Sequence, residues 1–229
     1  MEQNSSRKNV VILAAGDFPT HPVPLNALRE ADFVVCCDSA YHEWKAESGR
    51  WNEEMPFVVI GDGDSLAEAD KRALGDRWIQ VDEQDYNDLH KAMAWATTQF
   101  SIPNSQFTIL AATGRREDHT LGNIAYLVTF AEEYPGIDLE MLTDYGRFTA
   151  MTGRRTFATF PRQQISFFAM DPDQPIYGQG LRWPLDGFHA RRWWQATLNE
   201  AVGTEVSLRS DGWLVVFLTY EAKDPIASV

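Results

Sequence analysis

Apolar runs at 10–15, 33–37, 57–60, 77–81, 107–112 and 137–142 punctuate the first two thirds of the chain, and they are rich in β-branched residues. Their length and β-branched content predict strands. Between them, 66–74 and 88–100 carry helical spacing: Leu89, Ala92, Met93 and Ala96 share one face, and Asp88 opens the segment with a carboxylate where the helix dipole favours one. A further helix is predicted over 120–133, ended by Pro135-Gly136. This alternation predicts an α/β N-terminal domain with a mostly parallel sheet, whose ligands should sit outside the carboxyl ends of the strands. Beyond about Arg147 the pattern changes to short strand-like pieces, 155–160, 164–170, 205–209 and 213–220, separated by Pro, Gly and Asp. A small all-β domain is expected there. Gly146 or Gly153 marks the change, and the expected division is 1–147 and 148–229.

Composition narrows the partners. With 229 residues and 44% hydrophobic content, the chain can bury a core in one large or two small domains. The 33 acidic and 20 basic side chains give a net charge of −13, which repels nucleic-acid backbones and anionic membranes; neither is expected as a partner. A nucleotide is an anion too, so a nucleotide site would need its own neutralisation by metal, arginine or backbone N–H groups. The adjacent Cys36 and Cys37 lie in an apolar run and read as buried, reduced thiols. Residues 1–9 are polar without a signal-type apolar core, and the longest apolar runs are strand-sized, so a soluble cytoplasmic protein is expected.

The loops after the strands collect the chemistry. They read Gly16-Asp17, Asp38-Ser39, Gly61-Asp62-Gly63-Asp64-Ser65, Asp82-Glu83-Gln84-Asp85-Tyr86-Asn87-Asp88 and Thr113-Gly114-Arg115-Arg116-Glu117-Asp118-His119. Carboxylates converging at one sheet edge repel one another unless a cation sits among them, and oxygen-rich sites favour Mg²⁺. Gly61, Gly63 and Gly114 would let backbone approach phosphate, and Arg115 and Arg116 would supply local positive charge. Each loop alone has a plainer reading: Ser65 or Asp64 as the N-cap of 66–74, or His119 bonded to backbone. A GxxxxGK[ST] loop is absent from the sequence, which disfavours a P-loop kinase.

Taken in order, the motifs resemble those of the thiamine pyrophosphokinase family. They are Cys37-Asp38-Ser39, Gly61-Asp62-Gly63-Asp64-Ser65, Gln84-Asp85-Tyr86-Asn87-Asp88-Leu89-His90-Lys91-Ala92, the arginine loop from Gly114 to His119 with Asn123, Gly180-Leu181-Arg182-Trp183-Pro184-Leu185, and Leu198-Asn199-Glu200. Departures are Ser39-Ala40 in place of two glycines, Arg115 in place of a glycine, Asn87 in place of threonine, and Leu198 in place of serine.

The resemblance implies an α/β nucleotide domain joined to a β-sandwich that binds thiamine, in a homodimer with sites shared between subunits. The implied reaction is attack of the thiamine hydroxyl on the β-phosphorus of ATP, giving thiamine diphosphate and AMP. Motif matching implies that Asp62, Asp64 and Asp88 hold Mg²⁺, that Arg116 and Asn123 meet nucleotide, and that Asp38 and Gln84 add polar contacts. Asp118 would either orient Arg116 or join the metal site. Trp183, with Asn199 in the companion motif, would face thiamine, since a cationic thiazolium favours an aromatic surface. Trp193 and Trp194 read as core or dimer-interface residues. Two alternatives stay open: a diphosphokinase for a pterin-type hydroxymethyl acceptor, and a sensor that binds nucleotide or thiamine diphosphate without turnover.

Overall fold

The computed structural model of the protein describes residues 7–47 and 54–222, so most of the polar 1–9 stretch lies outside the described residues. Its contacts divide the chain into two compact units, Met1–Asp144 and Tyr145–Val229.

The first unit holds β1 (Lys8–Leu13), β2 (Phe33–Cys37), β3 (Phe57–Gly61), β4 (Trp78–Gln80), β5 (Ser105–Leu110) and β6 (Asp138–Leu142) in one sheet of order β4-β3-β2-β1-β5-β6. Every pairing among them is parallel, as the alternation of strands and helical segments predicts. Central β1 is flanked on both sides, Val10 pairing with Phe33 of β2 and Phe107 of β5, and Val10, Val11, Ile12 and Leu13 are all buried. Cys36 and Cys37 are free and buried in β2, and burial pushes both thiols up, which makes them poor nucleophiles.

Among the described residues, five α-helices connect the strands. Two short ones fall where no helix is predicted: α1 (Pro22–Arg29) and α2 (Ala40–Ala46). The first starts on His21, whose ring accepts the Val23 amide at 3.2 Å, with proline at positions that need no amide donor. The second buries Ala40, Tyr41 and Trp44 but is too short to show periodicity. α3 (Glu68–Leu74) begins after Ala67, with no side-chain cap, so neither Ser65 nor Asp64 is its N-cap. α4 (Asp88–Gln99) is capped by the Asn87 side chain, which accepts the His90 amide at 3.1 Å and does the work of a threonine. α5 (Glu117–Glu133) starts three residues earlier than 120 and ends before Pro135.

Strand order reverses between β1 and β5, where open sheets commonly bind ligands. Here the loops close on each other instead: the Ala14 amide donates to Leu110 O at 2.9 Å, Gly16 to Ala111 O at 2.6 Å, and Asp17 to Thr113 O at 2.9 Å. A Cβ on Gly16 would stand 2.3 Å from Thr113 O, so only glycine fits.

Among the described residues, the second unit is all-β apart from a single 3₁₀ turn at Trp193–Ala196. It comprises β7 (Gly146–Ala158), β8 (Gln163–Ala169), β9 (Pro175–Gln179), β10 (Leu185–His189), β11 (Asn199–Glu200) and β12 (Glu205–Ala222). The pieces 205–209 and 213–220 are one long strand, because Asp211-Gly212 forms a bulge rather than a turn; the register shifts between Ser210 and Leu214. This bend lets β12 pair β9 through Ser207–Ser210 and β8 through Leu214–Leu218 while β7 follows both halves. Phe157, Phe167, Ile176, Leu208 and Val216, from β7, β8, β9 and both halves of β12, share one buried cluster. Arg147 and Gly153 lie within β7, so the chain enters this unit's sheet before its composition changes. No helix among the described residues is long and apolar enough to cross a membrane.

Candidate active site

Parallel pairing lines up the carboxyl ends of β2 and β3, and the loops that follow bring three carboxylates together. Oxygens of Asp38, Asp62 and Asp64 lie within 4.8 Å of one another. Asp38, directly after β2, is buried: its Oδ2 accepts the amides of Gly63 at 3.0 Å and Ser65 at 3.4 Å, while its Oδ1 is buried without a partner. Gly61 makes this approach possible, since a Cβ there would stand 2.5 Å from that of Asp38. Burial raises the Asp38 pKa, the two amides oppose the shift, and nearby Asp88 and Asp64 add to it.

Asp62 is held in its ionised form. Its pKa is lowered by the Asp64 amide, which donates at 3.2 Å, and by Gln84, whose Nε2 donates at 3.3 Å. Asp64 accepts the Ser65 hydroxyl at 2.9 Å. Asp88, first residue of α4, lies outside the 4.8 Å group but close enough for its charge to raise the Asp38 pKa. Its own pKa is raised by burial, against the pull of Lys91, whose Nζ lies 3.4 Å from Asp88 Oδ1 and 4.0 Å from Asp62 Oδ2. Lys91 is the residue that motif matching left without a role. Only 4% of its side chain is exposed, and the signal for it was a lysine three residues after a site carboxylate on a core-facing helix turn.

The two arginines of the arginine loop make different contacts. Arg116 grips Asp118 with both forks, Nε to Oδ1 at 3.1 Å and Nη2 to Oδ2 at 2.6 Å. This pair, with the His119 amide, holds the Asp118 carboxyl down at about 2. Arg115 adopts φ +53°, a conformation natural to the glycine usual at that position. Its guanidinium reaches Ala15 O at 3.1 Å and Glu43 Oε1 at 2.8 Å, tying the loops after β1 and β5 to α2. Asn123 is buried; its Nδ2 donates to Ala112 O at 2.9 Å and its Oδ1 accepts from Asn87 at 3.1 Å, which ties the end of β5 to the cap of α4.

Within the second unit, Asn199 is buried and frames the Trp183 backbone. Its Oδ1 accepts the Trp183 amide at 3.3 Å and the Glu200 amide at 2.8 Å, and its Nδ2 donates to Trp183 O at 2.8 Å. Trp183 is 51% exposed, with the Arg182 guanidinium 5.1 Å from its ring centroid. Trp193 and Trp194 are exposed, which removes the core reading for them. Leu198 is exposed at φ +61°, its amide on the Ser166 hydroxyl at 3.1 Å.

The model of the thiamin pyrophosphokinase catalytic domain matches residues 25–139, and that of the thiamin pyrophosphokinase substrate-binding domain matches 146–217. The chain belongs to the thiamin pyrophosphokinase family. Thiamin pyrophosphokinase 1 of Caenorhabditis elegans is 26% identical over 111 residues, which are 47% of this chain and 44% of the relative. Thiamine pyrophosphokinase 3 of Oryza sativa subsp. japonica is 40% identical over 82 residues, 33% of this chain and 31% of the relative. The chain thus spans less than half the length of these curated relatives. The fold is that of the solved thiamin pyrophosphokinase from Candida albicans, with a TM-score of 0.77 at 16% identity over 93% of this chain and 90% of that one. Both family matches bear on the thiamine reading, and the pterin and sensor alternatives gain no support from them.

Proposed function

We propose that this member of the thiamin pyrophosphokinase family is a thiamine diphosphokinase, transferring the diphosphate of ATP to the hydroxyl of thiamine and releasing AMP. The observation that carries the reading is the cluster of Asp38, Asp62 and Asp64 at the carboxyl edge of a parallel sheet, with a buried Asp38 oxygen left without a partner. That donor set fits Mg²⁺, which takes carboxylate oxygens and substrate phosphates readily. Asp38, Asp62 and Asp64 would hold it, with Asp88 completing or flanking the set. The ion, when bound, would neutralise charge on the triphosphate.

The chain's own residues position and neutralise. Gln84 and the Asp64 amide hold Asp62 ionised, and Lys91 balances Asp62 and Asp88. Arg116, oriented by Asp118, offers its remaining donors to phosphate. The thiamine oxygen attacks the β-phosphorus, the bond from that phosphorus to the α-phosphate bridging oxygen breaks, and AMP departs. The hydroxyl proton passes to a carboxylate, for which Asp88, with its pKa raised by burial, is the best matched. Thiamine rests on the exposed face of Trp183, whose backbone Asn199 fixes. The working form is a cytoplasmic homodimer in which the acidic loops of one copy meet Trp183 of the other.

Incubating the protein with ATP, Mg²⁺ and thiamine tests this. AMP and thiamine diphosphate should accumulate in equal amounts; failure to form thiamine diphosphate, with ATP bound, would overturn the reading.

A further inference from the structure

Alternation along β12 turns Val206, Leu208 and Ser210 into the core and leaves Ser207 and Arg209 half-buried on the opposite face. On that outer face Arg209 stands directly opposite Arg154 of β7 and Tyr177 of β9. Directly opposed like charges on antiparallel strands destabilise a sheet. Among the described residues neither arginine has a carboxylate within salt-bridge distance, although Asp186 lines the same groove. The Arg209 guanidinium is fixed instead against the Tyr177 ring, 4.1 Å from its centroid. Arg154 and Arg209, neither paired with a carboxylate, both line a groove of about 440 Å³, together with Gln179, Pro184 and Ser207, in a chain of net charge −13. Neither Trp183 nor Asn199 lines it.

We propose that this groove binds the phosphoryl group of a small phosphorylated molecule between Arg154 and Arg209. An oxyanion between the two forks converts their repulsion into two charge-assisted pairs, and guanidinium geometry matches phosphate bidentately. Ser207 and Gln179 supply neutral donors. The volume lies in the range of small-molecule sites, which leaves room for an organic portion beside Tyr177.

The 229-residue chain, labelled with ¹⁵N and free of Mg²⁺, is titrated with glycerol 3-phosphate and, separately, with inorganic phosphate, while backbone amides are followed by NMR. The expected result is saturable shifts at Arg154, Tyr177, Ser207 and Arg209, with affinity falling at least about tenfold in Arg209→Gln and in Arg154→Gln. Tighter binding of the ester assigns the source to a phosphorylated metabolite; tighter binding of the ion assigns it to free phosphate, and either sustains the phosphoryl site. Arg154→Lys guards against misfolding, because it keeps the charge, loses the fork and should still weaken binding. Shifts confined to Gly63, Ser65 and Gly114 would place phosphate only at the acidic and arginine loops and overturn the proposal. Groove shifts unchanged in all three variants would overturn it as well.

Discussion

Asp38 meets two opposed demands. As an ionised, buried carboxylate with one partnerless oxygen it burdens the metal-free fold by about 1–3 kcal/mol, the usual penalty for such a group. Because burial raises its folded pKa above the unfolded one, the native state binds this proton more tightly. The burden is therefore full above the raised pKa and recedes as pH falls toward the ordinary carboxylate value. In Asp38→Asn the amide oxygen can still accept from Gly63 and Ser65, while its NH₂ can donate to Asp62 or Asp64. Metal-free Asp38→Asn should melt about 2–4 °C above wild type near neutral pH, the shift that about 1 kcal/mol gives at this chain length. The difference should shrink on acidification, and diphosphate transfer should fall by orders of magnitude. Thermal melts at two pH values and an AMP-release assay read both effects; a variant that melts early and stays active would reverse the assignment. The arginines make a second contrast. Arg115→Gly relieves φ +53° but loses the bonds to Ala15 and Glu43, so kcat/KM should stay within about threefold. Arg116→Lys loses the bidentate fork and should lower it roughly tenfold or more. Equal losses at both positions would mean that the roles within the loop are reversed.

At the scale of elements, what was legible followed from burial. β1, β2, β3 and β5 are strands buried on both sides, so continuous apolar runs mark them, and α4 buries Leu89, Ala92, Met93 and Ala96 on one face. α1 and α2 are too short for a period to emerge, and the turn-like Asp211-Gly212 hides a bulge because sequence reports local preference, whereas pairing with β7 decides continuity. The site was legible as loop order: the carboxylates that follow β2 and β3 do converge. Lys91 was not, since its role comes from lying one helical turn past Asp88 with its ammonium drawn under Asp62. The Asn123 amide spans Ala112 and the cap residue Asn87, a tie that its motif does not reveal. Asn87→Ala removes both the cap and that tie. It should cost about 1–2 kcal/mol, read as a lower melting temperature. Restoration by Asn87→Thr would assign the loss to the cap, and failure to restore would assign it to the Asn123 tie.

At the scale of the whole molecule, a net charge of −13 repels the anionic nucleotide proposed as substrate, so the proposed transfer requires neutralisation that is local to the site. The second unit carries no comparable carboxylate cluster among the described residues but exposes Trp183, Trp193 and Trp194, large aromatic surfaces that isolated domains normally bury. The proposed homodimer gives these surfaces a use and makes a prediction that needs no structure of the assembly. Asp62→Asn disables the acidic loops, and Trp183→Ala disables the thiamine face. Since Trp183 is half exposed, its loss should raise the thiamine requirement while leaving ATP binding and melting temperature nearly unchanged, unlike a core tryptophan at about 3–5 kcal/mol. Each variant alone should be nearly inactive at limiting thiamine. If sites are shared, an exchanged equal mixture contains heterodimers in which one site pairs two intact halves and the other two defective ones, so random exchange should restore about a quarter of wild-type activity. If each site lies within one chain, every chain in the mixture keeps its own defect and activity stays at the mean of the two variants. Subunit exchange, verified by distinct tags on the two variants, makes the second result decisive against a shared site, and early melting of Trp183→Ala would return that residue to a packing role.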